Sequence, residues 1–309
     1  MKTVAVISAG ADDTAQGVQR ALERLGARVV SVDTSLVPER VPLSLEGGRV
    51  IAAGVSLSDV RAVYVKSLHL AVPLYDVESL SARAPKAWPA RWVAERERHA
   101  LLTSAFRALE LSGAHLVNPV SRFEWHLLKP LQTEVLARAR VPVPATLATC
   151  DPDAVRAFVE RHGDVIYKPI AGGALVRRLE ARDVSSARLS RLSTAPVLFQ
   201  QRIPGEEWRV YVLDGEVVSA FALPARGVVD AREVLQRAKR KKAPRAVAEV
   251  SCRAARALGL VFTAVDVRLD DEGAPYVLEC NPTPSVSFYE KPESSPVLRA
   301  LAAHLVRHA

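Results

Sequence analysis

Residues 261–284, VFTAVDVRLDDEGAPYVLECNPTP, carry the pattern on which the fold turns. Val261, Thr263, Val265, Val267 and Leu269 alternate with Phe262, Ala264, Asp266 and Arg268, which is the period of a strand with two different faces. Asp270 to Gly273 has turn composition, and Pro275 to Cys280 reads as the returning strand. If Leu269 and Ala274 close a four-residue loop, Asp266 stands opposite Val277, and Glu279 falls on the face of Asp266 at a diagonal separation of roughly 7 to 8 Å. Two carboxylates then converge, Asn281 follows directly, and Pro282 and Pro284 stop the strand. Two carboxylates and an amide oxygen make a hard, oxygen-only donor set, which suits Mg²⁺ better than zinc and leaves positions for water and phosphate oxygens. The bland alternative pairs Asp266 with Arg268 or another cation and leaves Glu279 facing water.

Upstream, further charges are ordered along the chain. Lys168 ends a strand begun at Val165, just before a loop carrying Gly172 and Gly173, and Lys129 lies in a region of helical spacing from Glu124 to Ala139. Two ammonium groups and the amides of a glycine loop could meet on a polyphosphate, although a single lysine is more often a solvated surface residue. Arg209 lies on a predicted hairpin, Trp208–Leu213 and Glu216–Phe221 joined by Asp214-Gly215, and would complete a set of cations suited to phosphoryl transfer. Val197–Gln201 reads as another strand. Asp151-Pro152 opens a helix ending near His162-Gly163, and Pro244–Leu258 is a second helix, closed by Gly259.

The amino-terminal part opens as a βαβ-like unit: strand Val4–Ile7, helix Thr14–Leu25 with Gly26 as its cap, and strand Arg28–Val32. It contains neither GxGxxG nor GxxxxGK, so the usual dinucleotide and P-loop readings lose their main support. Ala62–Val65 is a further strand, Pro85–Trp92 reads as irregular, Trp92–Leu111 as helical, and Asn118-Pro119 marks the first domain boundary.

With 309 residues, 49% hydrophobic and 25% charged, the chain is an ordinary globular protein of about two domains, not a disordered, collagen-like or disulfide-scaffold one. Three separated cysteines without a CxxC pair argue against structural zinc and oxidised frameworks, and favour a reducing cytoplasm. No apolar run approaches the roughly 20 residues that span a bilayer, so a soluble protein without a membrane partner is expected. The net charge is +8, and residues 226–256, with ten basic and three acidic side chains, hold +7 of it. Such a patch attracts nucleotide, acidic peptide or nucleic acid alike, or is a solvated face, as a helix over Arg237–Lys242 would be.

The ordered series Lys129, Val143-Pro144-Ala145-Thr146, Tyr167-Lys168-Pro169, Gly172-Gly173, Leu198 to Ile203, Glu207-Trp208-Arg209-Val210, Asp266-Val267 and Glu279-Cys280-Asn281-Pro282 resembles the ATP-grasp ligases of the RimK-like group, over roughly residues 117 to 290. The resemblance implies an α/β N-terminal domain, residues 1–118, followed by an α+β ATP-grasp fold, residues 119–309, in which two subdomains clamp ATP and the lid covers about 142–204. Lys129 and Lys168 would bind phosphates together with Gly172 and Gly173. Gln200, Gln201, Arg202 and Ile203 would form the hinge beside adenine, and Glu206 or Glu207 would approach the ribose. Asp266, Glu279 and Asn281 look like magnesium ligands, and Arg209 and Lys168 like the catalytic cations. ATP and Mg²⁺ are the implied cofactors, and a homo-oligomer is compatible with the family.

The hinge has Gln201-Arg202 where many relatives have Glu followed by an apolar residue, and Ala222-Leu223 stands where RimK carries arginines. These departures look closer to the peptide-modifying graspetide (microviridin-type) macrocyclases, as do Val228–Arg232 and Phe288-Tyr289-Glu290. Asp230, Arg232, Lys239, Arg240 and Glu290 are then the candidate contacts to an acidic peptide or an amino acid. The implied chemistry phosphorylates a carboxylate with ATP, and an amine or hydroxyl displaces phosphate from the acyl phosphate. The other readings are a RimK-type ligase adding an amino acid, and a non-catalytic nucleotide- or nucleic-acid-binding protein. The chain lacks a recognition-helix or RNP-type motif and aromatic interleaving of its basic patch, which argues against nucleic acid as partner.

Overall fold

The computed structural model describes residues 1–68, 88–172 and 174–309. They fall into two compact units. One comprises Met1–Ser121, Ser285–Ser287 and Pro292–Ala309, and the other Arg122–Pro284 and Phe288–Lys291.

The first unit is built on four parallel strands in the spatial order Arg28–Asp33, Thr3–Ser8, Ala62–Val65, His115–Val117. Val4 to Ile7 and Ala62 to Val65 are buried throughout, as strands covered on both faces must be. Helix Asp13–Arg24 starts where Asp12 accepts a 2.8 Å hydrogen bond from the Ala15 amide. Its buried stripe includes Gly17, where a Cβ would stand 2.5 Å from Leu298 Cδ1, so glycine lets the helix Pro296–His308 approach. That last helix lies in this unit, apart in sequence from the rest of it. A three-stranded antiparallel meander, Leu43–Glu46, Arg49–Ala52 and Val55–Ser56, completes it. The helix expected from Trp92 begins at Trp88, and the irregular segment expected over 85–92 lies outside the described residues up to 87.

The second unit contains two antiparallel sheets. The smaller has the order Arg177–Arg178, Val165–Lys168, Val197–Gln201, Thr146–Thr149, and packs Val165 and Phe199 against Val155 and Phe158 of helix Pro152–His162. The larger runs Lys239–Arg240, Glu216–Leu223, Glu207–Leu213, Phe262–Leu269, Pro275–Asn281. Its central hairpin turns at Asp214 and Gly215, with φ of 52° and 78°, the two positive values that a two-residue turn of this hand needs. One face buries Val210, Val212, Val265 and Val267 beneath Val247, Val250 and Ala254 of helix Arg245–Ala257 and Leu136 of helix Lys129–Arg138. The helix expected from Glu124 starts only at Lys129, after a 3₁₀ segment Val120–His126. Arg237–Lys242 is not helical: a 3₁₀ turn ends at Arg237, and Lys239–Arg240 pair with Phe221 and Ala222 at the sheet edge.

Candidate active site

The register of the decisive hairpin differs from the simple count. Leu269 pairs with Pro275 because Asp270 holds a longer turn, its Oδ1 accepting from the Ala274 amide at 2.7 Å and from the Glu272 amide at 3.1 Å. A bulge at Leu278 then shifts the ladder, so Val267 pairs with Val277 while Asp266 lies directly opposite Glu279, not diagonally across from it. The bulge also changes which way the strand faces. Val277 and Cys280 both enter the apolar core, whereas Leu278 and Glu279 line a cleft. In a regular strand Val277 and Glu279 would share a face, and one of them would be misplaced.

The cleft has a volume of about 510 Å³. Its walls include Lys129, Lys168, Gly172, Gln200, Gln201, Ile203, Glu207, Arg209, Asp266 and Glu279, contributed by both sheets and the start of helix Lys129–Arg138. Arg209, directly opposite Asp266 on the neighbouring strand, donates from Nη1 to Oδ1 at 2.9 Å and Oδ2 at 3.0 Å. The alternative partner, Arg268, turns elsewhere: it donates to the carbonyls of Ala225, Val228 and Val229 and stands 3.6 Å from Glu207. Lys129 Nζ contacts Glu279 Oε2. Asn281 Nδ2 lies 3.3 Å from both Asp266 Oδ2 and Glu279 Oε1, leaving its carbonyl oxygen as a further acceptor. Lys168 Nζ approaches Gln200 Oε1 at 3.5 Å, and the Gln200 amide donates to Thr146 Oγ1 at 3.0 Å.

The electrostatics follow from burial and neighbours. Burial raises the Glu279 pKa, but the ammonium groups of Lys129 and Lys168 outweigh it and hold the carboxyl at about 2. For Asp266 burial dominates, and the pKa is raised despite Arg209. Glu207 is pushed up to about 7, by burial first and by Asp266 second, against Arg268 and Arg209. Burial lowers the pKa of Lys168, with Glu279 opposing. The donor set of Asp266, Glu279 and Asn281 is all oxygen, compact and anionic, and it fits a hard divalent cation.

Several sequence candidates stand apart from this cleft. Arg202 Nη1 donates to Asp164 Oδ2 at 2.9 Å and is not in the wall. Glu206 is exposed, leaving Glu207 as the inward acid. Gly173 lies outside the described residues. Asp230 and Arg232 do line the cleft, but Asp230 caps its own turn, accepting from the Val176 and Arg232 amides at 2.9 and 3.0 Å. Burial would raise its pKa, and these bonds together with the Arg232 side chain bring it below the usual range. Glu290 is buried, accepts from Ser219 Oγ at 2.9 Å and stands 3.9 Å from Arg240. Lys239 and Arg240 are exposed on the edge strand and outside the wall.

Three features escaped the sequence reading. Gln132, one turn after Lys129, accepts from the Cys280 amide at 2.7 Å and donates to the Cys280 carbonyl at 3.1 Å, clamping the strand between Glu279 and Asn281. Tyr289 lies 5.3 Å from the Arg209 guanidinium, and Tyr211 5.7 Å, a cation–π cradle. His126 contacts Thr283 Oγ1 at 2.8 Å at the cleft rim. The Lys129-x-x-Gln132 spacing was the one available signal, since residues three apart share a helix face.

Residues 53–305 match the ATP-grasp domain of the R2K clade, family 3, and the chain belongs to that family. Among solved structures, the ATP-grasp ligase PsnB complexed with minimal precursor, Mg and ADP is 31% identical, with a TM-score of 0.83 over 99% of this chain and 97% of that one. The macrocyclase MdnC bound with precursor peptide MdnA, from Microcystis aeruginosa MRC, shares the fold at 19% identity, with a TM-score of 0.81 over 99% of each chain. A D-alanine--D-alanine ligase of Gloeobacter violaceus is 33% identical over 141 residues, 40% of this chain and 46% of that protein. The matched segment therefore spans less than half of that curated relative. The ATP-grasp fold expected from the resemblance is thus the fold of this chain. Among the described residues no helix is long and apolar enough to cross a membrane.

Proposed function

We propose that the chain is an ATP-dependent ligase that activates a carboxylate of a peptide as an acyl phosphate and joins it to an amine or hydroxyl of the same peptide, closing a macrocycle. The observation that carries this reading is the convergence, in one cleft of an ATP-grasp chain, of Lys129, Lys168 and Arg209 with Asp266 and Glu279, with Asn281 hydrogen-bonded to both carboxylates. The likeness to PsnB along the whole chain, and that ligase's precursor, Mg and ADP, support the peptide substrate and the cofactors.

In this reading Lys129 and Lys168 hold the ATP phosphates beside Gly172, whose φ of +82° permits a close turn at the wall. Gln200, Gln201 and Ile203 flank the base, and Glu207 faces the ribose. Asp266, Glu279 and the Asn281 carbonyl would hold Mg²⁺, which supplies charge neutralisation along the phosphates when bound. A substrate carboxylate oxygen takes the γ-phosphoryl group as the bond to the β-phosphate oxygen breaks and ADP leaves. Arg209 and Lys168, already in place, meet the charge that develops. The nucleophile then attacks the acyl carbon, phosphate departs with the bonding pair, and the nucleophile loses its proton.

Calorimetry of ATP with and without Mg²⁺ tests the site, on the wild type and on Lys168→Ala and Glu279→Ala. Magnesium-dependent binding weakened by both changes is expected, followed by ADP release with acidic peptides. Binding untouched by either change would place the nucleotide elsewhere and sink the assignment.

A further inference from the structure

Away from the cleft, three of the seven histidines of the chain meet in the first unit. His304 and His308 are spaced i, i+4 on the helix Pro296–His308, so they project from one face. His115 opens the strand His115–Val117, the edge of the parallel sheet. The His115 and His304 Nε2 atoms are 2.8 Å apart, and the His115 and His308 rings stack with centroids 4.0 Å apart. One ring nitrogen from each of the three lies within 4.8 Å of the others.

The tautomer of His308 is fixed by the fold. Its Nδ1 is 2.9 Å from the His304 carbonyl oxygen, which can only accept, so Nδ1 carries the proton and Nε2 offers its lone pair. A backbone carbonyl on the far nitrogen is the arrangement that orients imidazole ligands in metal sites. His304 is only 1% exposed and His308 is exposed, so the set has a buried floor and an open side.

We infer that His115, His304 and His308 form a zinc-binding site that pins the last helix to the sheet edge, with a fourth position open to water. Three imidazoles suit borderline-soft Zn²⁺ and exclude Mg²⁺ and Ca²⁺, which take oxygen. Zn–N bonds of about 2.0–2.1 Å at tetrahedral angles separate ligand nitrogens by about 3.3 Å, so His115 and His304 need to part by about half an ångström, and the stacked His115 and His308 rings need to tilt apart so that their in-plane lone pairs converge. The proton now shared between their Nε2 atoms moves to the Nδ1 of the donor ring, so that both Nε2 atoms ligate. This inference is independent of the ligase reading, because none of the three residues lines the cleft.

The test titrates the full-length chain with Zn²⁺ against a chromophoric chelator, and with Co²⁺ for its visible spectrum. The variants are His308→Ala, His115→Ala and the double variant Asp266→Asn/Glu279→Gln. We expect one zinc equivalent in the wild type and the double variant, and affinity at least about 100-fold weaker in either histidine variant. Co²⁺ should give the intense absorption of a four- or five-coordinate nitrogen site. Zinc should also slow amide exchange in residues 115–117 and 296–308 of the wild type and not of His308→Ala, whose side chain is exposed and whose metal-free melting should stay unchanged. The inference is overturned by a wild type that takes up no zinc, by unchanged affinity in His308→Ala, or by zinc lost with the double variant.

Discussion

Replacing Gln132 with leucine asks how much of the site depends on one amide. Strand Pro275–Asn281 is the last in its sheet, so the outward peptide groups of Cys280 have no strand partner. The Gln132 side chain, 3% exposed, takes that place by accepting at 2.7 Å and donating at 3.1 Å. Leucine keeps most of the volume but leaves a buried N–H and a buried C=O unpaired, each at about 1–3 kcal/mol. Some relaxation is available at an edge, so a net loss of about 3 kcal/mol is expected. Where exchange follows the opening equilibrium, this speeds exchange of the Cys280 amide by about 100-fold. Hydrogen exchange read by mass spectrometry on the segment 275–281 measures it. Magnesium-dependent ATP binding should weaken in parallel, because Glu279 and Asn281 flank the clamped residue. An exchange rate within about threefold of the wild type would show that the strand holds its register without the clamp, and the argument would be wrong.

The folded chain keeps a proton on Glu207 up to a pKa of about 7, whereas an unfolded carboxyl sheds it near 4.5, so folding weakens as pH rises through that window, by up to about 3 kcal/mol. Glu207→Gln should flatten the pH dependence of urea midpoints there, and an unaltered slope would contradict it. Glu279 works in the opposite direction: held at about 2, it adds stability above about 4.5 that is lost on acidification toward 2, and Glu279→Gln should remove that acid-side loss. At Gly205 a Cβ would meet the Leu269 carbonyl oxygen at 2.4 Å, so Gly205→Ala should cost about 1–3 kcal/mol in thermal unfolding and raise KM for ATP by displacing Glu207; a neutral variant would show that the turn yields freely. Charge reversal at Lys239, Lys241 and Lys242, exposed and outside the cleft, should raise KM for an acidic peptide several-fold with ATP binding preserved, and an unchanged peptide KM would remove the patch from recognition.

Much of the larger sheet was legible because its signals are local. Asp214-Gly215 specifies its turn by dihedral preference, and Val261 to Leu269 advertises a strand by alternation. The identities of Lys129, Lys168, Arg209, Asp266 and Glu279 emerged from their order along the chain, and the structure gathers these five in one cleft. The ladder between Asp266 and Glu279 was not legible, because a bulge depends on partners far away: Gln132 on Cys280 and the Pro142 carbonyl accepting from the Val277 amide at 2.8 Å. The short run Lys239–Arg240 looked helical by composition, yet it lies beside Phe221 and Ala222, and tertiary pairing decides such short segments. The pairing of the Arg202 guanidinium with Asp164, distant in sequence, has no local signal.

The bulge at Leu278 gives its strand two consecutive residues on the cleft side, set between two that face the core. Val277 before it and Cys280 after it answer to the packing beneath helix Arg245–Ala257, whereas Leu278 and Glu279 between them answer to whatever occupies the cleft. Straightening the strand with Leu278 kept would instead put Val277 and Glu279 on one face, with either the carboxylate among the valines or Val277 in the cleft. For a lineage drifting in sequence, residue 278 and the bulge are therefore tied together: the residue can be lost along with the bulge, since Val277 and Glu279 then alternate regularly, but the bulge cannot be straightened while the residue stays.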